Sequence, residues 1–452
     1  VATDAAVAVP GSAEGLVDDA LGARPTERLP LLQLVQLSIY WFGIQAIWGG
    51  VGVFAQERIP QLAPPGQGGS YLALTGWITL PIVLAIQPTV GAISDYTISR
   101  WGRRKPYIVV GTILDVIFIA GLATSQTYLS VVAFLALLQF SSNFAQGPFQ
   151  GYVPDLVPQP QVALASALMG AMQTVGFVAG NIVIAVAYRL GDFVLPMIVL
   201  GLVELATGVV TVVTVREGRA AKPRNGRSWI SIGRSAWGVD VLRERSFVFL
   251  CISRLLFLSG VNVLLGFYIL FLTRSLGFGP EQKELWVPAI TGTVAVFTAI
   301  TTIPSGILSN RFGRKPLIYV ASVVGTLGLA TIGAAPSIWV VLVGAVLVGV
   351  ASGTFLAVDW ALMTDIIPKA SSGRFMGISN LAVGLAGPTA GFVAGPLIDL
   401  VGGVAETGEG PRAAFLAGSL LFLLAAAFLR PVDPRPREAR AVAPQPTALV
   451  PG

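Results

Sequence analysis

Residues 94–106 read SDYTISRWGRRKP, and residues 309–316 read SNRFGRKP. Each stretch has a glycine three positions before its serine, Gly91 and Gly306, and each runs Arg-aromatic-Gly-Arg and on to a proline. A second pair follows in the same order: PDLVP at 154–158 and TDIIP at 364–368, trailed by Met169-Gly170 and Met376-Gly377. Two motifs repeated in the same order divide the chain into two like halves. Long apolar runs flank every copy. Only 12% of the 452 residues are charged and 54% are hydrophobic, where a soluble domain carries about 25% charged residues. Apolar runs of this length are membrane-spanning helices, because the bilayer interior offers a bare backbone no hydrogen-bond partner.

The expectation is an all-α polytopic membrane protein of about twelve spans, at 31–56, 71–95, 106–124, 129–152, 162–187, 193–214, 246–272, 286–309, 316–334, 337–364, 375–399 and 412–430. Six spans fall in each half, 30–214 and 246–430, with a basic linker at 215–245. Residues 1–29, polar with Pro and Gly, and 431–452, rich in Pro, Arg and Ala, read as disordered tails. The first lacks the basic start and apolar core of a signal peptide.

Basic residues set the orientation. The linkers after spans 2, 6, 8 and 10 hold most of them, while the other face has only Arg58, Arg189, Arg274, Lys283 and Arg412. The positive-inside rule places the basic linkers and both termini in the cytoplasm, as expected for a multi-pass protein of the plasma (inner) membrane. The net charge of +6 is therefore topological, and no nucleic-acid partner is expected. Cys251 stands alone, so no disulfide forms within the chain, and there is no histidine. Proton chemistry then falls to carboxylates. No metal cluster, phosphate loop or nucleophile–base pair stands out, so neither an enzyme nor a cofactor is expected. Repeated halves point instead to a transporter with its site between them near mid-bilayer, working as a monomer on a small solute.

The layout resembles the major facilitator superfamily, which implies two pseudo-symmetric six-helix bundles. The stretch QPTVGAISDYTISRWGRRKPYIVVG, with TISR inserted relative to the second copy, is similar to the same segment in sucrose–proton symporters and their animal and bacterial relatives. AQGPFQGYVPDL (145–156) resembles their fourth helix, and VDWALMTDIIP (358–368) resembles bacterial members. The likeness implies sugar or glycoside transport, with H⁺ as the coupling ion. Three positions depart from it. Gln139 stands where plant members carry an Asp on helix 4, Tyr96 stands where an Arg often follows the loop Asp, and the early histidine of plant members has no counterpart.

Candidate solute ligands lie on polar stripes. Gln139, Ser142, Asn143, Gln146 and Gln150 share one face of span 4. Such a face either packs polar-to-polar or lines water, and amides suit a neutral polyol by offering both donors and acceptors. Span 1 repeats the pattern with Ser38, Gln45 and Gln56, bordered by Trp41 and Trp48, whose rings are either ordinary packing or a platform for a sugar face. Gln173 and Asn181 on span 5 and Asn262 on span 7 complete the set, and the glycines between Gln173 and Asn181 suit close helix contact.

Four ionisable residues lie inside spans: Asp115, Glu204, Arg254 and Asp359. Such residues are functional by default. Arg254 and Asp359 agree in depth within about 3 Å at about 1.5 Å per residue, so they are expected to pair, either as a static bridge or as a proton-coupled switch. Asp115 is a further proton candidate. In the loops, Arg103 or Arg104 is expected to bridge Asp155 beside Asp95, and Arg314 to reach Asp365, as gate locks across the cytoplasmic mouth that stabilise an outward-open state. An uncoupled facilitator, an exporter of amphiphiles and a non-transporting receptor on the same fold stay open at this stage.

Overall fold

A computed structural model of the chain describes residues 27–97, 99–217, 226, 228–235, 244–366 and 372–433. Most of both expected tails and much of the 215–245 linker lie outside these residues. Twelve helices are long and apolar enough to cross a membrane. They are α1 Leu31–Leu62, α2 Gly68–Ser94, α3 Lys105–Ala123, α4 Tyr128–Gln150, α5 Leu164–Leu190, α6 Val194–Thr214, α7 Arg245–Ser275, α8 Pro280–Ser309, α9 Arg314–Gly333, α10 Ile338–Met363, α11 Leu381–Gly402 and α12 Glu409–Leu429. No strand occurs among the described residues.

The repeat seen in the motifs recurs in the packing. In the first half α1 packs on α5 and α6, α4 on α2 and α3, and α3 on α6. In the second half α7 packs on α11 and α12, α10 on α8 and α9, and α9 on α12. Adding six to each helix number converts one set into the other. The halves meet through α2 with α11, α5 with α8 and α1 with α7.

The outer surface carries the exposed apolar side chains. Val110, Ile113 and Ile117 face outward from α3, and Val320, Val323 and Leu327 do so from α9. Spacing of three to four residues gives each helix one lipid-facing stripe. The expected glycine contacts occur on α5: a methyl at Gly176 or Gly180 would collide with the backbone of Phe42 or Ala46 on α1. Aromatic stacking fills the second half, with Phe257 parallel to Phe355 at 3.8 Å between centroids and edge-on to Phe422.

Several helices run past their expected ends, and three of them do so with charged turns. Span 1 extends from 56 to Leu62, span 7 to Ser275, and span 8 begins at Pro280 rather than 286. The added turns carry Glu57, Arg58, Arg274, Lys283 and Glu284. Charge signalled loop in the sequence, but here it marks helix continuing beyond the apolar run to where charged side chains find partners.

Candidate functional site

Because the span number is even, α1 begins and α12 ends on one face, the terminal face. There α2 ends at Ser94, and Asp95 follows. The Arg104 guanidinium spans three acceptors: Asp155 at 2.7 Å, the Pro148 carbonyl at 2.8 Å and Asp95 at 3.0 Å. Arg103 also pairs with Asp155. This fork ties together the ends of α2, α3 and α4, all in the first half. A methyl at Gly151 would occupy the Arg104 guanidinium.

Glu217 completes the cluster. Its carboxylate accepts the N–H groups of Arg104 at 3.1 Å and Lys105 at 2.9 Å, capping the N-terminus of α3, where unpaired donors and the helix dipole favour an anion. Burial pushes its carboxyl above the usual range, while those N–H groups and the nearby cations pull it back. Gly102, at φ +116°, sits where any side chain would collide with Glu217. A lone acid three residues beyond the apolar run of span 6 was the only sequence signal for it. In the second half Arg314 opens α9, and the Asp365 side chain lies outside the described residues, so the expected Arg314–Asp365 bridge does too.

At mid-membrane, α1 and α4 meet through polar side chains. The Trp48 Nε1–H reaches Ser142 Oγ at 3.3 Å, and Gln146 Nε2 donates to the same oxygen at 2.9 Å. Asn143 Nδ2 donates to the Gln139 carbonyl at 2.8 Å and to its Oε1 at 3.1 Å. Gln45, Gln150 and Gln173 make no side-chain hydrogen bond to protein among the described residues. Asn262 Nδ2 donates to the Leu258 carbonyl at 2.8 Å, and its Oδ1 faces Gly387 of α11. A methyl added at Gly52 on α1 or at Gly266 on α7 would meet nothing within 4 Å. Open space therefore adjoins the faces carrying Gln45 and Asn262. Trp41 is buried and packs on Phe149 at 5.7 Å, which is the ordinary packing of the two alternatives open for its ring. Trp48 is the tryptophan at the polar face.

Gln56 and Asn181 have another role. Gln56 donates to the Leu265 carbonyl at 2.9 Å and accepts the Ile269 N–H at 3.2 Å, and the Tyr268 hydroxyl donates to Asn181 at 3.0 Å. Both join the halves toward the opposite face. Further out, Glu57 accepts from Lys283 at 2.7 Å and from the Tyr188 hydroxyl at 2.9 Å. Arg189 pairs with Glu284 at 3.0 Å. Asp399 of α11 accepts the N–H groups of Gly69 at 2.9 Å and Ser70 at 2.6 Å, capping α2 from the other half. Among the described residues, polar contacts between the halves thus cluster at the opposite face. The expected Arg104–Asp155 bridge forms, with Asp95 on the same guanidinium, and both pairs lie inside one half. Among the described residues, the contacts that join the halves hold the opposite face closed.

Two buried ionic groups lie within the membrane. Arg254 Nη1 stands 3.4 Å from Asp359 Oδ2 and donates to Ser379 Oγ at 2.7 Å, and both charged residues are buried. In the first half Asp115 and Glu204 converge on one buried group of hydroxyls. Ser141 donates to Asp115, the Tyr40 hydroxyl reaches Glu204 at 3.3 Å, and Tyr40 and Thr112 are 2.7 Å apart. Sequence reading placed the two acids on separate peripheral helices. Their convergence depends on helix rotation, which the sequence did not resolve.

The Major Facilitator Superfamily model matches residues 37–297 and 250–451. An uncharacterised MFS-type transporter of Methanocaldococcus jannaschii is 24% identical over 349 residues, covering 75% of this chain and 82% of that protein. The sucrose transport protein SUT1 of Oryza sativa is 29% identical over 127 residues, 23% of this chain and 24% of its own length, so the likeness spans about a quarter of that relative. The fold matches a bacterial homologue of the human lysosomal transporter Spinster at a TM-score of 0.71, with 15% identity over 89% of this chain and 96% of that one. It matches a D-xylose–proton symporter at a TM-score of 0.64, with 18% identity over 89% and 97%. The chain belongs to the Major Facilitator Superfamily.

Proposed function

We propose that the protein is a secondary transporter that moves a sugar or glycoside by alternating access, coupled to H⁺. The observation that carries this reading is the set of amides at Gln45, Gln150 and Gln173 that lack protein partners, with open space at Gly52 on the Gln45 face of α1 and at Gly266 on the Asn262 face of α7. Unpartnered amides inside a membrane protein need hydroxyls or water to satisfy them. With Gln139, Asn143, Gln146 and Asn262 they form a neutral, donor- and acceptor-rich surface suited to a polyol. The names of the rice sucrose and D-xylose–proton relatives agree with that class.

The excess of Lys and Arg on the terminal face supports a cytoplasmic assignment for it and for both termini, in the plasma membrane. With the halves held together at the opposite face, the site then opens toward the cytoplasm. The Asp95–Arg103–Arg104–Asp155 cluster, with Arg314 and Asp365 as the second-half counterpart, acts as a mouth-shaping gate element. Asp359 takes up a proton and releases Arg254, which frees α7 and α10 to move relative to each other and to α11. The transporter works as a monomer.

Purified protein in a thermal-shift panel of mono- and disaccharides, followed by uptake in vesicles with and without an imposed pH gradient, tests the reading. Stabilisation by no sugar would overturn the substrate class. An uncoupled facilitator is the second reading. The neutral Gln139, where the resembling plant transporters carry an acid, favours it, and uptake indifferent to the pH gradient would establish it.

A further inference from the structure

We infer that Asp115 and Glu204 form a proton-binding dyad that shares one proton at neutral pH and links it to the polar face of α1 and α4. Both residues are fully buried. Asp115 lies ten residues into α3 from the terminal face, Glu204 ten residues from the terminal end of α6, and Tyr40 and Ser141 nine residues into α1 and α4. At about 1.5 Å per residue all four sit about 15 Å deep.

Each acid has one oxygen with a hydroxyl partner. The other two, Asp115 Oδ2 and Glu204 Oε2, are buried with no hydrogen-bond partner among the described residues. Ionised carboxylates are acceptors only, and two of them in an apolar interior repel each other and forfeit hydration. A proton on one acid converts the pair into donor and acceptor. The groups facing the dyad are the hydroxyls of Tyr40 on α1, Thr112 on α3 and Ser141 on α4, with Thr207 and Thr211 on α6 bonded to backbone carbonyls. The other charged residues on these four helices are Glu57, Arg58 and Lys105, all near helix ends. Among the described residues, neither acid has an ion-pair partner.

The dyad also touches the helices that carry the polar face. Tyr40 lies on α1 and ties that helix to Glu204 on α6. Five residues on is Gln45, and eight on is Trp48. On α4, Ser141 bonds the dyad while its neighbour Ser142 holds Trp48 and Gln146. Protonation of the dyad and occupation of the polar face are thus read by the same two helices. The coupling half of this inference rests on the transporter reading; the proton itself does not.

The test is infrared spectroscopy of purified full-length protein in liposomes, titrated from pH 5 to 9 in KCl and in NaCl. The wild type should show at pH 7 a protonated-carboxyl stretching band that is lost in D115N/E204Q and kept in D359N. An identical spectrum in the wild type and D115N/E204Q would overturn the proton. Displacement of the band by NaCl at constant pH would replace the proton with a sodium ion. If D115N/E204Q does not assemble, Y40F decides: loss of the phenol donor should shift the band without removing it, and an unmoved band overturns the inference. In vesicles with an imposed pH gradient, E204Q should bring sugar accumulation down to the equilibrium ratio of one. An unchanged accumulation ratio, with the band confirmed, would reject coupling and leave the proton site standing.

Discussion

Replacing Glu57 with Gln removes the charge at the centre of the contact between α1, α5 and α8. The Glu57 side chain is 11% exposed and that of Lys283 7%, so solvent screens their attraction little. Glu57 accepts two hydrogen bonds, at 2.7 Å from Lys283 and 2.9 Å from Tyr188. The Tyr188 bond stays within the first half, so the Lys283 bond is the one that opening breaks; a bond to a charged group contributes about 1.5–3 kcal/mol, and its loss costs about 2 kcal/mol. At about 1.4 kcal/mol per tenfold, that is an about 30-fold shift toward a form open at the opposite face. An open form populated at about 1% in the wild type would rise to about a quarter. The change stays partial because Gln56, Asn181 and Asp399 still join the halves. Spin labels at Thr124 and Ala334, both exposed, report it in a background lacking Cys251. These residues occupy equivalent positions after α3 and α9, one in each half. Double electron–electron resonance on E57Q should show a growing long-distance component. A distance distribution identical to that of the wild type would refute the lock.

D359N, which cannot gain a charge-neutralising proton, should lose pH-gradient-driven accumulation and flatten the pH profile of uptake; full pH dependence and uphill accumulation in this variant would sink the proposed switch. R104K gives up a fork that reaches Asp95, Asp155 and the Pro148 carbonyl at once; it should cost about 2 kcal/mol, measured as a lower unfolding temperature. D95N should slow turnover and leave solute affinity nearly unchanged, and weakened binding with intact cycling would count against a gate role. Glu217, its carboxyl raised by burial, contributes stability that is present below its ordinary pKa and lost as pH rises through the higher folded value. E217Q should therefore flatten the dependence of unfolding temperature on pH across that window, and a slope equal to the wild type's would contradict the assignment.

Much of this fold was legible because its signals are local. An apolar run declares a span wherever it sits, and Gly91 to Pro106 against Gly306 to Pro316 declares the repeat. The Arg254–Asp359 pair was also legible, since two buried charges of opposite sign at one depth have few alternatives. Partners fixed by helix rotation were not. Glu57 and Lys283 read as loop residues because charge was taken to end a span, and Trp41, bordering the polar stripe of span 1, left packing and a sugar platform equally open. Glu217 lay in a linker dominated by arginines. Tyr40, Thr112 and Ser141 gave no signal at all, because a hydroxyl among apolar residues becomes informative only when the acid facing it is known.

The most direct test is uptake of radiolabelled sucrose, maltose and glucose into proteoliposomes of the purified protein, with the lumen alkaline relative to the medium. Accumulation of at least one sugar above its external concentration, abolished by collapsing the gradient, is the expected result. No uptake of any sugar, from protein that is folded and correctly inserted, would contradict the assignment of the polar face on α1, α4 and α7 to a sugar.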